Sequence, residues 1–225
     1  MMTHHCGYCK KTFAKETSIA VHMCEPKRRY MNKDDRGVQL GLQAYVKFYE
    51  QAQKSVKPKT YDDFCVSSYY KAFVKFGKYC VDVKVINPVQ YMVWLLKHNK
   101  KIDNWASDRI YTEYLVDYVK LESLDDAMRR TVEHSISWEE TTGHPAKDML
   151  RYGNVNGLCY DITTGRISPW VLYSCESGRK FLSSLSSEQV AMTWAYIDSD
   201  KWQQKFADYP TDKTFVEEVL KVAGW

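Results

Sequence analysis

Glycine and proline are scarce in this chain, ten and six of its 225 residues, and no internal repeat or low-complexity segment breaks it up. That composition excludes a largely disordered chain. No apolar run approaches the roughly 18 residues needed to span a bilayer; the longest lies near Tyr91–Leu96. The N-terminus carries no apolar signal-peptide segment, so a soluble protein of the cytoplasm, without membrane attachment, is expected. The cysteines at 6, 9, 24, 65, 80, 159 and 175 are odd in number and show no framework spacing, which argues for reduced thiols rather than a disulfide scaffold. Also missing are a P-loop, a GxGxxG, an HExxH, paired nuclease-type histidines and a nucleophile constellation. The chain is therefore expected not to be an enzyme.

What is present is apolar and aromatic mass, 44% and 14%, enough to bury a core. Periodicity and caps predict a mainly α-helical protein with a small β-hairpin, an N-terminal mini-domain over residues 1–30 and a mostly helical domain over 31–225. A basic hinge at 25–35 is followed by a helix over 36–54, with Pro58 as breaker. A second helix begins at Thr60 and continues through Phe64, Tyr69, Phe73, Phe76 and Cys80. Asn87 and Pro88 open a buried helix, and Ser107 and Ser123 open helices near 108–121 and 124–139. Two β-prone runs around Thr163–Arg166 predict a hairpin of strands near 157–162 and 167–174. Helices then resume at caps Ser186 or Ser187, Ser199 and Thr211, the last closing on Gly224.

Charge is unevenly placed. Residues 1–33 hold seven Lys/Arg against two Glu, a net of +5, while the remainder holds 25 basic and 26 acidic residues, a net of −1. The positive excess thus lies where a polyanion would dock, and Lys10, Lys11, Lys15, Lys27, Arg28 and Arg29 are the candidate phosphate contacts. In the other reading the basic stretch is a solvated linker.

The same segment carries the clearest chemistry. Cys6 and Cys9 have C-x2-C spacing, and Phe13, Ile19 and His22 follow at the intervals of a small metal-binding finger. This stretch resembles the C2H2-type zinc fingers across residues 4–24, at five of six defining positions. The resemblance implies a Cys-Cys turn, with Gly7 easing it, packed against a short helix, and Zn2+ as cofactor. The sixth position departs: no ligand lies three to five residues past His22, and Cys24 comes only two residues on. Positions two apart on a continuous helix diverge, so Cys24 can ligate only if the helix stops or tightens at His22, and Pro26 is a candidate for that stop. The expected site is Cys6, Cys9, His22 and Cys24, with His4 or His5 as the alternative fourth ligand. The positions such fingers use to read bases are Lys15, Thr17, Ser18 and Val21, a poor reading head with one strong base-edge donor. Residues 13–29 are also similar to isolated fingers of tailed-phage proteins, which implies an infected bacterial cytoplasm as the setting.

The body offers weaker signals. His134, Glu139, Glu140 and His144 cluster in sequence but fit no metal spacing, and a surface helix end is the expectation. Asp62, Asp63, Asp125 and Asp126 occupy first helical turns, where the helix dipole accounts for them. Tyr111, Tyr114 and Tyr118 have the spacing of a core face, not of stacking platforms for single strands. Trp170 and Trp225 are candidate partner anchors. The leading functional expectation is a non-enzymatic zinc protein bound to nucleic acid or a nucleoprotein complex, with a protein partner on the helical body. The alternative is an adaptor or structural phage component whose zinc knuckle only staples the fold.

Overall fold

In the computed structural model, which describes residues 3–51 and 57–225, the chain is mainly helical and divides into two compact units, Met1–Tyr111 and Thr112–Trp225. The N-terminal segment over residues 1–30 belongs to the first unit. The two strands described are β1 (His4–His5) and β2 (Thr12–Phe13), antiparallel, with His4 opposite Phe13 and His5 opposite Thr12. A short helix, α1 (Glu16–Ala20), follows. The expected basic hinge is instead a helix, α2 (Glu25–Met31), with Pro26 in its first turn where proline's missing N–H costs nothing.

The core of the first unit begins with α3 (Arg36–Gln51), α4 (Tyr61–Val66) and α5 (Tyr70–Asp82). Residues 52–54, expected to continue α3, lie outside the described residues. Thr60 and Asp63 form a reciprocal capping box, each side chain accepting from the other's backbone N–H. One helix was expected from Thr60 to Cys80, but the chain breaks at Ser67, whose hydroxyl accepts from the Tyr69 N–H at 3.1 Å. This local bond competes with the helical ladder. Asn87, in the left-handed region at φ 46°, caps α6 (Pro88–Lys97). Phe64, Phe73, Phe76, Tyr91, Met92, Leu95 and Trp105 are completely buried. Trp105 lies edge-on to Phe73 and Phe76 and donates its indole N–H to Lys100 O at 2.9 Å.

The division between the units falls within α7 (Asp108–Leu121). The second unit continues with α8 (Leu124–Thr142), α9 (Met149–Tyr152), α10 (Val155–Thr163) and α11 (Pro169–Ser174). It closes with α12 (Glu176–Ser183), α13 (Ser187–Ile197), α14 (Ser199–Asp208) and α15 (Pro210–Val222). The hairpin expected over 157–174 is thus a pair of helices. Asn154 caps the first by accepting from the Gly157 N–H, and Ser168 caps the second, with Pro169 opening it. Burial of Leu158, Cys159, Ile162, Val171 and Leu172 overrides the β propensity of Ile162 and Val171. Gly165, at φ 73°, makes the turn between them. Ser123 and Ser186 cap as expected. Asp198 rather than Ser199 caps α14, and α15 starts at Pro210, one residue before Thr211.

A buried polar network fixes the α10–α11 turn. Arg130 pairs with Glu122 at 2.6 Å and donates to Gly165 O; the Ser168 hydroxyl donates to Glu122 at 3.1 Å, and its N–H donates to Thr131 at 2.9 Å. Burial raises the Glu122 carboxyl despite the pull of Arg130. In the first unit the decisive contact is backbone against backbone. A Cβ on Gly77 would sit 1.9 Å from Gly37 O and 2.6 Å from Gly41 N. Gly77→Ala is therefore expected to cost about 3 kcal/mol or more, the upper end for overpacking, because main-chain atoms cannot move aside. A denaturant midpoint equal to that of the parent protein would refute this packing.

Candidate metal centre

The N-terminal segment turns at Cys6–Lys11, where the Lys10 N–H donates to Cys6 O and the Cys6 N–H to Lys11 O, both at 2.9 Å. The strained position is not Gly7 but Lys10, at φ 62°; a Cβ on Gly7 would meet nothing within 4 Å. The turn aims backbone N–H groups at the Cys6 thiol. That of Cys9, opposed by burial and helped by that of Tyr8, brings its pKa down to about 7. For Cys9 the N–H of Lys11 pulls the same way, but burial and the facing thiols of Cys6 and Cys24 outweigh it, and the thiol is raised.

Helix α1 ends at Ala20, with Val21 as its C-cap, and the His22 N–H tightens onto Ile19 O at 3.2 Å. The chain then leaves helical geometry, and Cys24 sits at φ −89°, ψ 164° as the N-cap of α2. The helix stops before His22, as ligation by Cys24 requires. Pro26 is not the terminator: it belongs to the next helix. The Phe13 ring lies 4.6 Å from that of His22 and steadies it.

These turns gather Cys6, Cys9, His22 and Cys24, whose ligand atoms all lie within 4.8 Å of one another. Cys6 Sγ is 3.9 Å from Cys24 Sγ, and Cys9 Sγ is 3.2 Å from His22 Nε2. Tetrahedral bonds of about 2.3 Å to sulfur and about 2.0 Å to nitrogen imply ligand separations of roughly 3.8 and 3.5 Å. Three thiols and an imidazole at this spacing fit Zn2+. His4 and His5 lie outside the cluster. The His5 ring hydrogen-bonds Thr12 and Thr3 at 3.2 and 3.4 Å, and His4 stands in the strand opposite Phe13. No other such group of three or more His, Cys, Asp and Glu occurs among the described residues.

The candidate phosphate contacts separate into two kinds. Lys10, Lys11, Lys15 and Arg28 are exposed. Lys10 Nζ donates to Gly7 O, and Lys11 lies 5.9 Å from the Phe13 ring centre. Arg29 is turned inward: it donates to Cys65 O at 2.7 Å and to Ser67 O at 3.4 Å, pairs with Glu25 and stacks over Tyr70 at 4.4 Å. Tyr61 donates to Arg29 O, and Tyr30 packs between Tyr8 and Tyr61. Lys27 Nζ reaches His22 O at 3.3 Å. Sequence reasoning missed this clamp because its partners, Cys65 and Ser67, lie 36 and 38 residues away.

The other candidates are taken up structurally. His134 pairs with Asp161 at 2.9 Å, His144 stacks on Trp138, and Glu139 accepts from the Ala146 N–H. Tyr111, Tyr114, Tyr118 and Trp170 are buried. Among the described residues no helix is long and apolar enough to cross a membrane. No protein-family model, curated protein or solved structure matches the chain.

Cys24→Ala is expected to weaken zinc retention in a chelator competition by more than the roughly 10–100-fold that loss of a supporting group costs. His4→Ala and His5→Ala should leave it within a few-fold, and Gly7→Ala should be silent. A His4→Ala loss equal to that of Cys24→Ala would overturn the ligand set. Lys10→Gly should instead stabilise the metal-bound turn by about 1 kcal/mol through relief of the left-handed conformation, read as a higher thermal midpoint of the zinc-loaded protein.

Proposed function

We propose that Cys6, Cys9, His22 and Cys24 hold one Zn2+ as a structural staple, and that this non-enzymatic protein engages nucleic acid through the knuckle by phosphate contact without reading bases. The observation that carries this reading is the exposure of Lys10, Lys11, Lys15 and Arg28 on the segment that holds the chain's excess positive charge. Helix α1 has five residues, about 7.5 Å of length, too short to lay a reading face along a major groove. The exposed Thr17 and Ser18 of this helix and its C-cap Val21 add little base-edge chemistry. Lysines give affinity without sequence information. The helical body is left for a protein partner, and a phage-infected cytoplasm is the setting that the resemblance suggests.

The inward Arg29 favours a second reading, in which the knuckle only staples α2 to α4 and the protein is an adaptor. One titration separates the two. Binding to arbitrary single- or double-stranded DNA should weaken by about 0.7 to 0.9 log units per contact per decade of salt. Replacing Lys10, Lys11 and Lys15 together with Ala should lower affinity on every sequence and flatten the slope by about three contacts' worth. Arg29→Ala should leave the slope unchanged and lower the thermal midpoint. No binding at low salt, or binding indifferent to the lysine triple, would leave the adaptor reading.

A further inference from the structure

The second unit holds a cavity of about 540 Å3 whose chemistry is unrelated to the knuckle. Its size suits a small ligand rather than a single ion. Three lysines line it: Lys120 near the end of α7, and Lys201 and Lys205 of α14. The latter two are four residues apart and share a helix face. Lys205 is fixed, donating to Lys120 O at 2.5 Å and lying 5.0 and 5.2 Å from the ring centres of Trp202 and Trp170. Lys201 pairs with Asp198 at 3.3 Å. Lys120 is half-buried, and the carboxylates of Asp117 and Asp198 are its nearest charged counterweights. Burial and the Lys201 charge push it below the ordinary lysine range. Asp117 and Asp198 offset this only in part, so an anion between Lys120 and Lys201 would relieve the remaining repulsion.

The remaining wall is aromatic and acidic. Tyr209, half-exposed where α14 passes into α15, offers a ring face at the rim. Asp208, which accepts from Gln204, and Asp212 in the first turn of α15 present carboxylates that can accept from ring N–H groups. Glu122, also in the lining, is committed to Arg130 and Ser168. Ammonium groups, an aromatic face and N–H acceptors around one cavity describe a ligand with the same three complements. We propose that this cavity binds a nucleoside monophosphate, with the phosphate at Lys120 and Lys201, the base on Tyr209 and its N–H edge toward Asp208 and Asp212. The same chemistry is offered by a free mononucleotide and by the phosphorylated end of a strand.

The test is calorimetric titration of the full chain with adenosine and uridine monophosphates, with inorganic phosphate, with adenosine, and with a 5′-phosphorylated oligonucleotide. Saturable one-to-one binding of a mononucleotide is expected, tighter than that of phosphate or adenosine. Lys120→Met, which keeps the apolar stem, and Lys201→Ala, at an exposed position, should each weaken it by about tenfold or more. Tyr209→Ala should bring mononucleotide affinity close to that of phosphate. The Lys10, Lys11, Lys15 triple should leave mononucleotide binding unchanged, so failure here and failure of the knuckle reading are distinct results. In that triple variant, an oligonucleotide that binds tighter than the mononucleotide and is weakened by Lys201→Ala would name the strand terminus as the source. No saturation, equal affinity for phosphate and mononucleotide, or indifference to Lys201→Ala with the protein folded would overturn the proposal.

Discussion

Among residues 3–24 only Cys6 is buried, so this segment has almost no apolar burial to set against the entropy of ordering it. Its conformation depends on one constraint, the meeting of four ligand atoms from a turn, a helix exit and a helix entrance. Structural zinc contributes roughly 10–16 kcal/mol in such modules, far more than strands of two residues each could supply. The local features serve that meeting: the left-handed Lys10, the N–H groups aimed at Cys6, the early end of α1 and the ring of Phe13 on His22. The helical core of the first unit, with its buried Phe and Trp cluster, does not need it.

Each unit spends an arginine on joining distant backbone. Arg29 ties α2 to the carbonyls at the end of α4, and Arg130 ties α8 to the turn between α10 and α11 while neutralising the buried Glu122. Both side chains cover an aromatic ring, Tyr70 and Tyr118. A guanidinium suits this task because its planar fork can serve a carbonyl and a carboxylate at once and stack as well. The formal charge of the N-terminal segment therefore overstates what it can offer a partner.

The clustering of Cys6, Cys9, His22 and Cys24 was legible because they lie close in sequence and zinc tolerates few spacings; the one anomaly, Cys24, already implied a helix exit at His22. Helix starts were legible where an Asn, Ser or Thr cap preceded a periodic run, as at Thr60, Asn87, Ser123 and Ser186. In segment 157–174, Tyr160, Ile162, Val171 and Tyr173 carry β propensity and point to strands, whereas the caps Asn154 and Ser168 with Pro169 decide the outcome. The role of Arg29 and the lysine-lined cavity of the second unit could not be read at all. Both depend on residues brought together by packing, with no periodicity to announce them.

Cys24 closes the Cys/His cluster and, as the N-cap, also sets the rotational phase of α2. Each residue added to or removed from a helix start turns the following side chains by about 100°. With the third ligand at position 22 and Arg29 five residues past Cys24, the two-residue interval works like the mesh between two gears. The length of this connection is thus locked at both ends, and a finger of ordinary spacing could not be exchanged for this one without swinging the arginine away from the carbonyls it holds.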